Sequence, residues 1–351
     1  MNAHILQPYA EADWPLVKRF EERWPDATVH CGAMPSLRYR TKIGFLMQLP
    51  RLFVFGLRIG LDALGQARSP VAFIVSTDFE VLGLALAQLL RRKRVPIFIV
   101  GFIYTLRKSR VATFVRQLYF KAVLTLTRGV VCHSTLETVR YAKLFGLEHT
   151  LFRTVPFALN VERPASLEIT EGRYALSAGR AERDYGLLSR AWQGLPLDLH
   201  IICDTAAPLG SVSDSPRIKV LRQCFGSDYL REIAGADFVV VPLKDAELSA
   251  GQMVLLQSMS LGKPVIISRT PTTEEYGEHL KTFYLVEHGS VQALRDAIDA
   301  MAGDPGLRAT IGAAARDHYE ARYTVSAYTS GVLSAVESML AESGAATRSG
   351  R

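Results

Sequence analysis

Arg180 and Arg183 stand three residues apart, just after the short apolar run from Tyr174 to Gly179. Such a run closed by a glycine reads as a buried parallel strand and the turn that leaves it. Ligands of parallel sheets bind at the carboxyl ends of the strands, so both guanidiniums fall where an anion would sit. Paired guanidiniums grip phosphate oxygens and stabilise charge developing on a departing diphosphate. The plainer reading of the same residues is a turn with two surface arginines.

A second candidate lies in SAGQMVLLQSMSLGKPVIIS, Ser249 to Ser268. Ser249 reads as a helix N-cap, with Ala250, Gly251 and Gln252 forming the first turn. The unsatisfied backbone N–H groups of such a turn make an anion site without side chains. Gly251 lets a ligand approach the backbone closely. Gln257, about two turns into the helix, offers an amide to ribose hydroxyls, or is simply a partly exposed helix residue. Glu247 is the nearest acid. Asp245-Ala246-Glu247 superficially resembles a metal-binding carboxylate pair but reads as a solvated loop, so no metal is expected.

The elements around these residues alternate between short apolar runs and amphipathic segments, the pattern of parallel βαβ units. In the first half, Val71–Ser76, Val95–Phe102 and Gly129–Ser134 read as strands, and Val81–Arg94 as a helix. Val111, Phe114, Val115, Leu118 and Ala122 mark one apolar helix face. Ser134 to Glu137 reads as a capping box opening a helix that Gly146 ends. Thr154–Arg173 lacks helical period and reads as a crossover between domains. A second series follows: Tyr174–Gly179, Leu197–Cys203, Arg217–Leu221, Asp237–Pro242, Lys263–Ser268 and Phe283–Val286 as strands, with closing helices near 290–302, 304–319 and 326–341.

The fold expected is α/β, with two Rossmann-like doubly wound domains facing a central cleft. The first spans residues 1–160 and the second 161–325. A helix over 326–341 packs back toward the first, and 342–351 form a disordered tail.

Composition narrows the class. The 351 residues suit two domains, and 48% hydrophobic against 21% charged residues suits large buried sheets. Four scattered cysteines, with no CxxC pair, argue against a zinc site or disulfide framework and fit a reducing, cytoplasmic compartment. The first residues lack a basic segment followed by an apolar core, and no apolar run is long enough to span a bilayer. Ile43–Leu64 comes nearest, broken by Pro50, Arg51, Arg58 and Asp62.

Residues 1–160 hold 22 Lys and Arg against 10 Asp and Glu, a balance of +12, while the remainder balances at −5. The basic excess implies an anionic partner for the first half. Arg91–Arg94 and Arg107–Arg110 flank one strand. Arg40, Lys42, Arg51 and Arg58 intersperse with Phe45, Leu46, Phe53 and Phe55, either as an interfacial membrane contact or as the wet rim of a core. No helix-turn-helix, RNP or zinc motif supports nucleic acid as the partner.

The run DFVVVPLKDAELSAGQMVLLQSMSLGKPVIISRTPTTEEY, Asp237–Tyr276, resembles the C-terminal domain of GT-B glycosyltransferases, especially those of family 4 and the family 1 type. SAGRAERDYGLLSRAW resembles that family's diphosphate-binding strand end, and GDPGLRATIGAAARDHYEARYT its closing helices. The first half is similar only loosely, through CHSTLETVRYAKLFG. The resemblance implies a hexosyl transfer, retaining and metal-independent, from a UDP- or GDP-linked sugar. No other cofactor is implied. The acceptor would be a saccharide or lipid-linked molecule of polysaccharide or glycoconjugate synthesis, met at the inner face of the cell membrane.

Against the family pattern, its two glutamates fall at Ser249 and Gln257. Its lysine falls at Tyr185, which leaves Arg183 as the second cation. Its first-domain histidine falls near Phe102, where there is none. His133, at another strand end, is the alternative, unless it is structural. Asp78 and Tyr104 are the acceptor-side candidates. The missing acids also fit a catalytically silent GT-B protein that binds a nucleotide sugar or glycan within an assembly complex.

Overall fold

The computed structural model describes residues 3–7, 12, 14–31, 44, 47–66, 72–105, 109–159, 172–210, 212 and 215–349. Arg40, Lys42, Phe45, Leu46, Arg107, Lys108 and most of the expected crossover lie outside them. The chain forms two compact units. The first comprises residues 1–156 together with 328–351, and the second residues 157–327.

The first unit is built on β1 (Ala3–Gln7), β2 (Thr28–Cys31), β3 (Ala72–Val75), β4 (Ile97–Val100), β5 (Gly129–Cys132) and β6 (Phe152–Thr154). They pair in parallel in the order β2-β1-β3-β4-β5-β6. Strands β1, β3, β4 and β5 are buried at every position. That requires cover on both faces, which is why these runs, His4 and Gln7 of β1 excepted, are apolar rather than alternating. One face packs under α2 (Leu49–Gln66), α3 (Asp78–Arg91), α4 (Arg110–Thr125) and α5 (Thr135–Phe145). The other packs under α1 (Pro15–Arg23) and the chain's last helix, whose Val332, Leu333, Val336 and Met339 join Ile5, Phe20 and Val131. That helix spans Val325–Ser349. It therefore continues into residues expected as a disordered tail.

In the segment Ile43–Leu64, open between membrane contact and core, Leu52, Ala63 and Leu64 are buried, whereas Met47, Phe53 and Val54 are exposed. Helices α2 and α3 cross at glycines. A Cβ added to Gly83 would lie 2.1 Å from the carbonyl carbon of Gly56, and one on Gly56 would lie 2.2 Å from the Phe79 carbonyl oxygen. Only residues without side chains allow this approach.

Helix α4 carries the expected stripe of Val111, Phe114, Val115, Leu118 and Ala122, but the stripe faces solvent. Its inner side is Val123 and Leu124 with half-buried Phe120. No helix among the described residues is long and apolar enough to cross a membrane.

Several helices start on side-chain caps. Thr77 and Glu80 form a reciprocal capping box at α3, with Glu80 Oε2 accepting from the N–H groups of Thr77 at 2.8 Å and Ser76 at 3.0 Å. Ser134 caps α5 as expected. The Glu137 carboxylate also accepts from the N–H of His133, at 2.9 Å.

The second unit repeats the plan with β7 (Tyr174–Ala178), β8 (Asp198–Ile202), β9 (Ile218–Leu221), β10 (Phe238–Val241), β11 (Val265–Ser268) and β12 (Tyr284–Val286), all parallel. Their order is β12-β11-β10-β7-β8-β9, and α6 (Tyr185–Trp192), α7 (Ala206–Leu209), α8 (Gly226–Gly235) and α9 (Gln252–Ser260) follow in chain order among them. From β7 the chain builds outward to β9, then returns to set β10 on β7's other side. The order therefore reverses between β7 and β10, and a crevice opens there at the carboxyl ends of the strands.

Two stability tests follow from these contacts. Gly83→Ala forces α2 and α3 apart and should cost about 1–3 kcal/mol in denaturant unfolding. Glu80 is fully buried, Oε1 has no hydrogen-bond partner, and burial raises its pKa from 4.5 to about 7. The folded chain then holds a proton that the unfolded chain releases, so stability is lost as pH rises from 4.5 through about 7. Glu80→Gln keeps an acceptor for the two N–H groups and cannot ionise. It should melt higher than wild type at about pH 8, and the gain should shrink toward pH 5.

Candidate functional site

Two loops leave the reversal point, one after β7 and one after β10. They are tied together by a bridge between Arg183 and Leu243, by Asp184 N–H donating to the Pro242 carbonyl at 3.0 Å, and by Lys244 N–H donating to the Glu182 carbonyl at 3.1 Å. The first loop turns tightly, with Gly179 at φ +116° and Glu182 at φ +52°. A Cβ on Gly179 would lie 2.8 Å from Arg183 Nη2. The glycine therefore makes the space that the guanidinium occupies.

Arg183 is only 8% exposed. Its Nε donates to the Ala178 carbonyl at 2.8 Å and its Nη1 to the Ala181 carbonyl at 3.0 Å. Among the described residues no carboxylate pairs with it. Burial pushes its pKa down. A buried cation held only by carbonyl oxygens lacks a counter-charge, and an anionic ligand supplies one. Arg180, by contrast, is exposed on the same loop, with no hydrogen bond or ion pair among the described residues. Tyr185 is fully buried and its hydroxyl donates to the Gly179 carbonyl at 2.6 Å. A phenol here pins the turn, and the cation comes from Arg183.

The expected N-cap at Ser249 is corrected. The helix α9 spans Gln252–Ser260 and its cap is Gly251, at φ +91°, with no side-chain hydrogen bond to the first turn. Ser249 Oγ lies instead 3.2 Å from Thr272 Oγ1. The left-handed cap lets the chain fold back against β10. A Cβ on Gly251 would lie 3.2 Å from Val241 Cγ1 and 3.3 Å from Leu243 Cδ2. Ala250 packs, half-buried, on the core. The cap residue therefore gives the first-turn N–H groups, Gln252 among them, no side-chain acceptor.

Gln257 is half-buried, and its Oε1 accepts from the Tyr229 hydroxyl at 3.0 Å. Its Nε2 amide is then oriented to donate. Burial pushes Tyr229 up to about 12, and the Arg183 charge acts on it in the opposite sense. Sequence reasoning missed Tyr229. Nothing in GSDYLREIAG marks it, and only the packing of α8 (Gly226–Gly235) beside α9 brings it to Gln257. Glu247 is exposed in a turn whose own N–H donates to Asp245 Oδ1 at 2.8 Å. Among the described residues, no three His, Cys, Asp or Glu side chains cluster as a metal ion would need.

The first unit's candidates are placed separately. His133 is buried at the end of β5, and its Nδ1 lies 3.1 Å from the Val155 carbonyl, which assigns the proton to Nδ1 and acceptor character to Nε2. Burial lowers its pKa, keeping the ring neutral. Nε2 lies 3.1 Å from where a Cβ on Gly101 would stand. Asp78, in the first turn of α3, accepts from the Tyr119 hydroxyl at 2.7 Å. Tyr104 is a core residue rather than a surface contact. It is 2% exposed, its hydroxyl donates to the Thr113 carbonyl, and its ring packs edge-on to Phe120 and Phe145.

Residues 183–304 match the family described as glycosyl transferases group 1. No curated protein matches the chain. Among solved structures it is similar to HepE of Anabaena, in complex with UDP and glucose, at 16% identity and a TM-score of 0.67, over 96% of this chain and 100% of that one. It is also similar to sucrose-phosphate synthase from Thermosynechococcus elongatus, at 16% identity and TM-score 0.64, over 99% and 98% of the two chains. A third likeness is to the lipopolysaccharide outer core galactosyltransferase WaaB, at 13% identity and TM-score 0.63, over 96% and 99%. The fold is therefore GT-B, and the stretch that matches the family begins at Arg183.

Gly179→Ala would place a methyl group against the Arg183 guanidinium at a φ that L-residues resist. It should cost about 1–3 kcal/mol in denaturant unfolding. Pyrophosphate should raise the melting temperature of wild type, and the variant should lose that rise.

Proposed function

We propose that the chain is a glycosyltransferase that moves a hexosyl residue from a nucleoside diphosphate sugar to a saccharide or lipid-linked acceptor, in polysaccharide or glycoconjugate synthesis. The observation that carries this reading is the buried guanidinium of Arg183. It stands at the sheet's reversal point without a carboxylate partner among the described residues, at the start of the stretch matching glycosyl transferases group 1.

In the reaction the bond between the anomeric carbon and the diphosphate oxygen breaks, and the electron pair leaves with the diphosphate. The acceptor hydroxyl oxygen bonds to the anomeric carbon, and its proton passes to the leaving diphosphate or to water. Arg180 and Arg183 hold the diphosphate together with the first-turn N–H groups behind Gly251. Their field stabilises the charge that builds on it. Two guanidiniums, that of Arg183 held by backbone carbonyls, serve the role a divalent cation would otherwise fill, so the transfer is metal-independent. A leaving group stabilised in this way also suits retention of anomeric configuration, the outcome the family resemblance implies.

Gln257, turned by Tyr229, donates to a ribose oxygen, a contact that needs no carboxylate. Ser249 serves the loop through Thr272. In the first unit, His133 is the acceptor-side group, neutral and with Nε2 as its accepting nitrogen. The donor nucleotide is UDP or GDP. UDP is the first to test, because HepE is described in complex with UDP and with UDP-glucose. The acceptor is met at an anionic membrane surface, with the chain peripheral to it at the cytoplasmic face.

Thermal melting with UDP, GDP, ADP and their sugars tests the donor site. One nucleotide should raise the melting temperature of wild type. For that nucleotide, Arg180→Ala should weaken affinity about 10- to 100-fold, the worth of one charged hydrogen bond. No shift with any nucleotide would overturn the enzyme reading in favour of a silent binding protein.

A further inference from the structure

We propose that the outward face of α4 is the surface by which the chain docks on an anionic lipid bilayer. This deepens the membrane-proximal part of the proposed function and does not depend on the donor chemistry. Val111, Phe114, Val115 and Leu118 are 73%, 60%, 58% and 53% exposed, four large apolar side chains on one side of one helix. On the neighbouring helix α3, Leu89 and Leu90 are 75% and 62% exposed. Isolated exposed apolar residues are ordinary, but a run of them at helical spacing marks an interaction surface.

Charge selects the partner. From Val81 to Leu136 the chain runs 56 residues without an Asp or Glu and carries ten Lys and Arg. Leu89 and Leu90 lead directly into Arg91, Arg92, Lys93 and Arg94, all exposed. Arg110 and Lys121, at the two ends of the stripe, are exposed as well. A second copy seated on α4 would bring Arg110 and Lys121 against their own kind, with no carboxylate on α4 to answer them and Asp78 of α3 already engaged by the Tyr119 hydroxyl. A polyanion such as nucleic acid would meet the cations but leave the apolar stripe in water. An anionic bilayer satisfies both, taking the stripe into the acyl boundary while the cations lie among lipid phosphates.

The test is cosedimentation of the full chain with vesicles of equal parts phosphatidylglycerol and phosphatidylcholine, and with phosphatidylcholine alone. Wild type should bind the mixed vesicles and not the neutral ones, and binding should fall as salt rises. The double variant Phe114→Asp with Leu118→Asp, at exposed positions on which the fold does not depend, should lose about tenfold or more of that binding. Neutralising Arg91, Arg92 and Lys93 to serine should flatten the salt dependence. The idea is sunk if wild type ignores the mixed vesicles or if the double variant binds them equally well. It is also sunk if sedimentation velocity without lipid shows a dimer that the double variant dissociates, because the stripe would then be a protein interface. Nucleotide melting shifts, read on the same preparations, report the donor site separately. Vesicle binding without any nucleotide shift would fail only the donor reading, and the converse would fail only this one.

Discussion

The second unit is organised around a positive charge that the fold holds out of water. Arg183 rests on the carbonyls of Ala178 and Ala181, in space that Gly179 leaves by having no side chain. Keeping a guanidinium there costs desolvation energy, and carbonyl dipoles return only part of it. The surrounding choices are consistent with that cost. Tyr185 pins the turn from beneath, and the Arg183–Leu243 bridge ties the loop to the end of β10. The helix that follows starts on a left-handed glycine that caps none of its amides. The proposed diphosphate contact rests on a buried cation and an exposed cation at one strand-order reversal.

The polar groups around that contact are neutral where the resembling family carries carboxylates. This is coherent electrostatically. A glutamine held by the Tyr229 hydroxyl keeps a fixed hydrogen-bonding geometry without adding charge. Ser249, engaged with Thr272, is likewise a spacer in the loop rather than a charge.

The first unit answers a different constraint. Its helices α2 and α3 meet backbone to backbone at Gly56 and Gly83, which sets them closer than side chains allow. Helix α4 beside them needs only Val123, Leu124 and part of Phe120 to seal the sheet. Its remaining apolar residues therefore have no inner neighbour and lie at the surface.

The sequence by itself determined the alternation of strands and helices, because fully buried parallel strands are apolar at most positions and their connecting segments must be amphipathic. It also showed the glycine at the end of Tyr174–Gly179, the two arginines after it, and the serine that caps α5. Short-range hydrogen bonding and backbone sterics fix such features within a few residues. Strands β1, β2 and β6, the Ser249 hydroxyl's partner and Tyr229's place beside Gln257 were not legible, because each depends on residues far away in the chain. Periodicity likewise revealed an apolar stripe on α4 but not which way it faces, since a helical repeat records the spacing of a face and not its neighbour. Only the tertiary structure decided that the stripe is outside and that Arg183 is inside. Burial is a property of what packs against a residue, and no local pattern carries it.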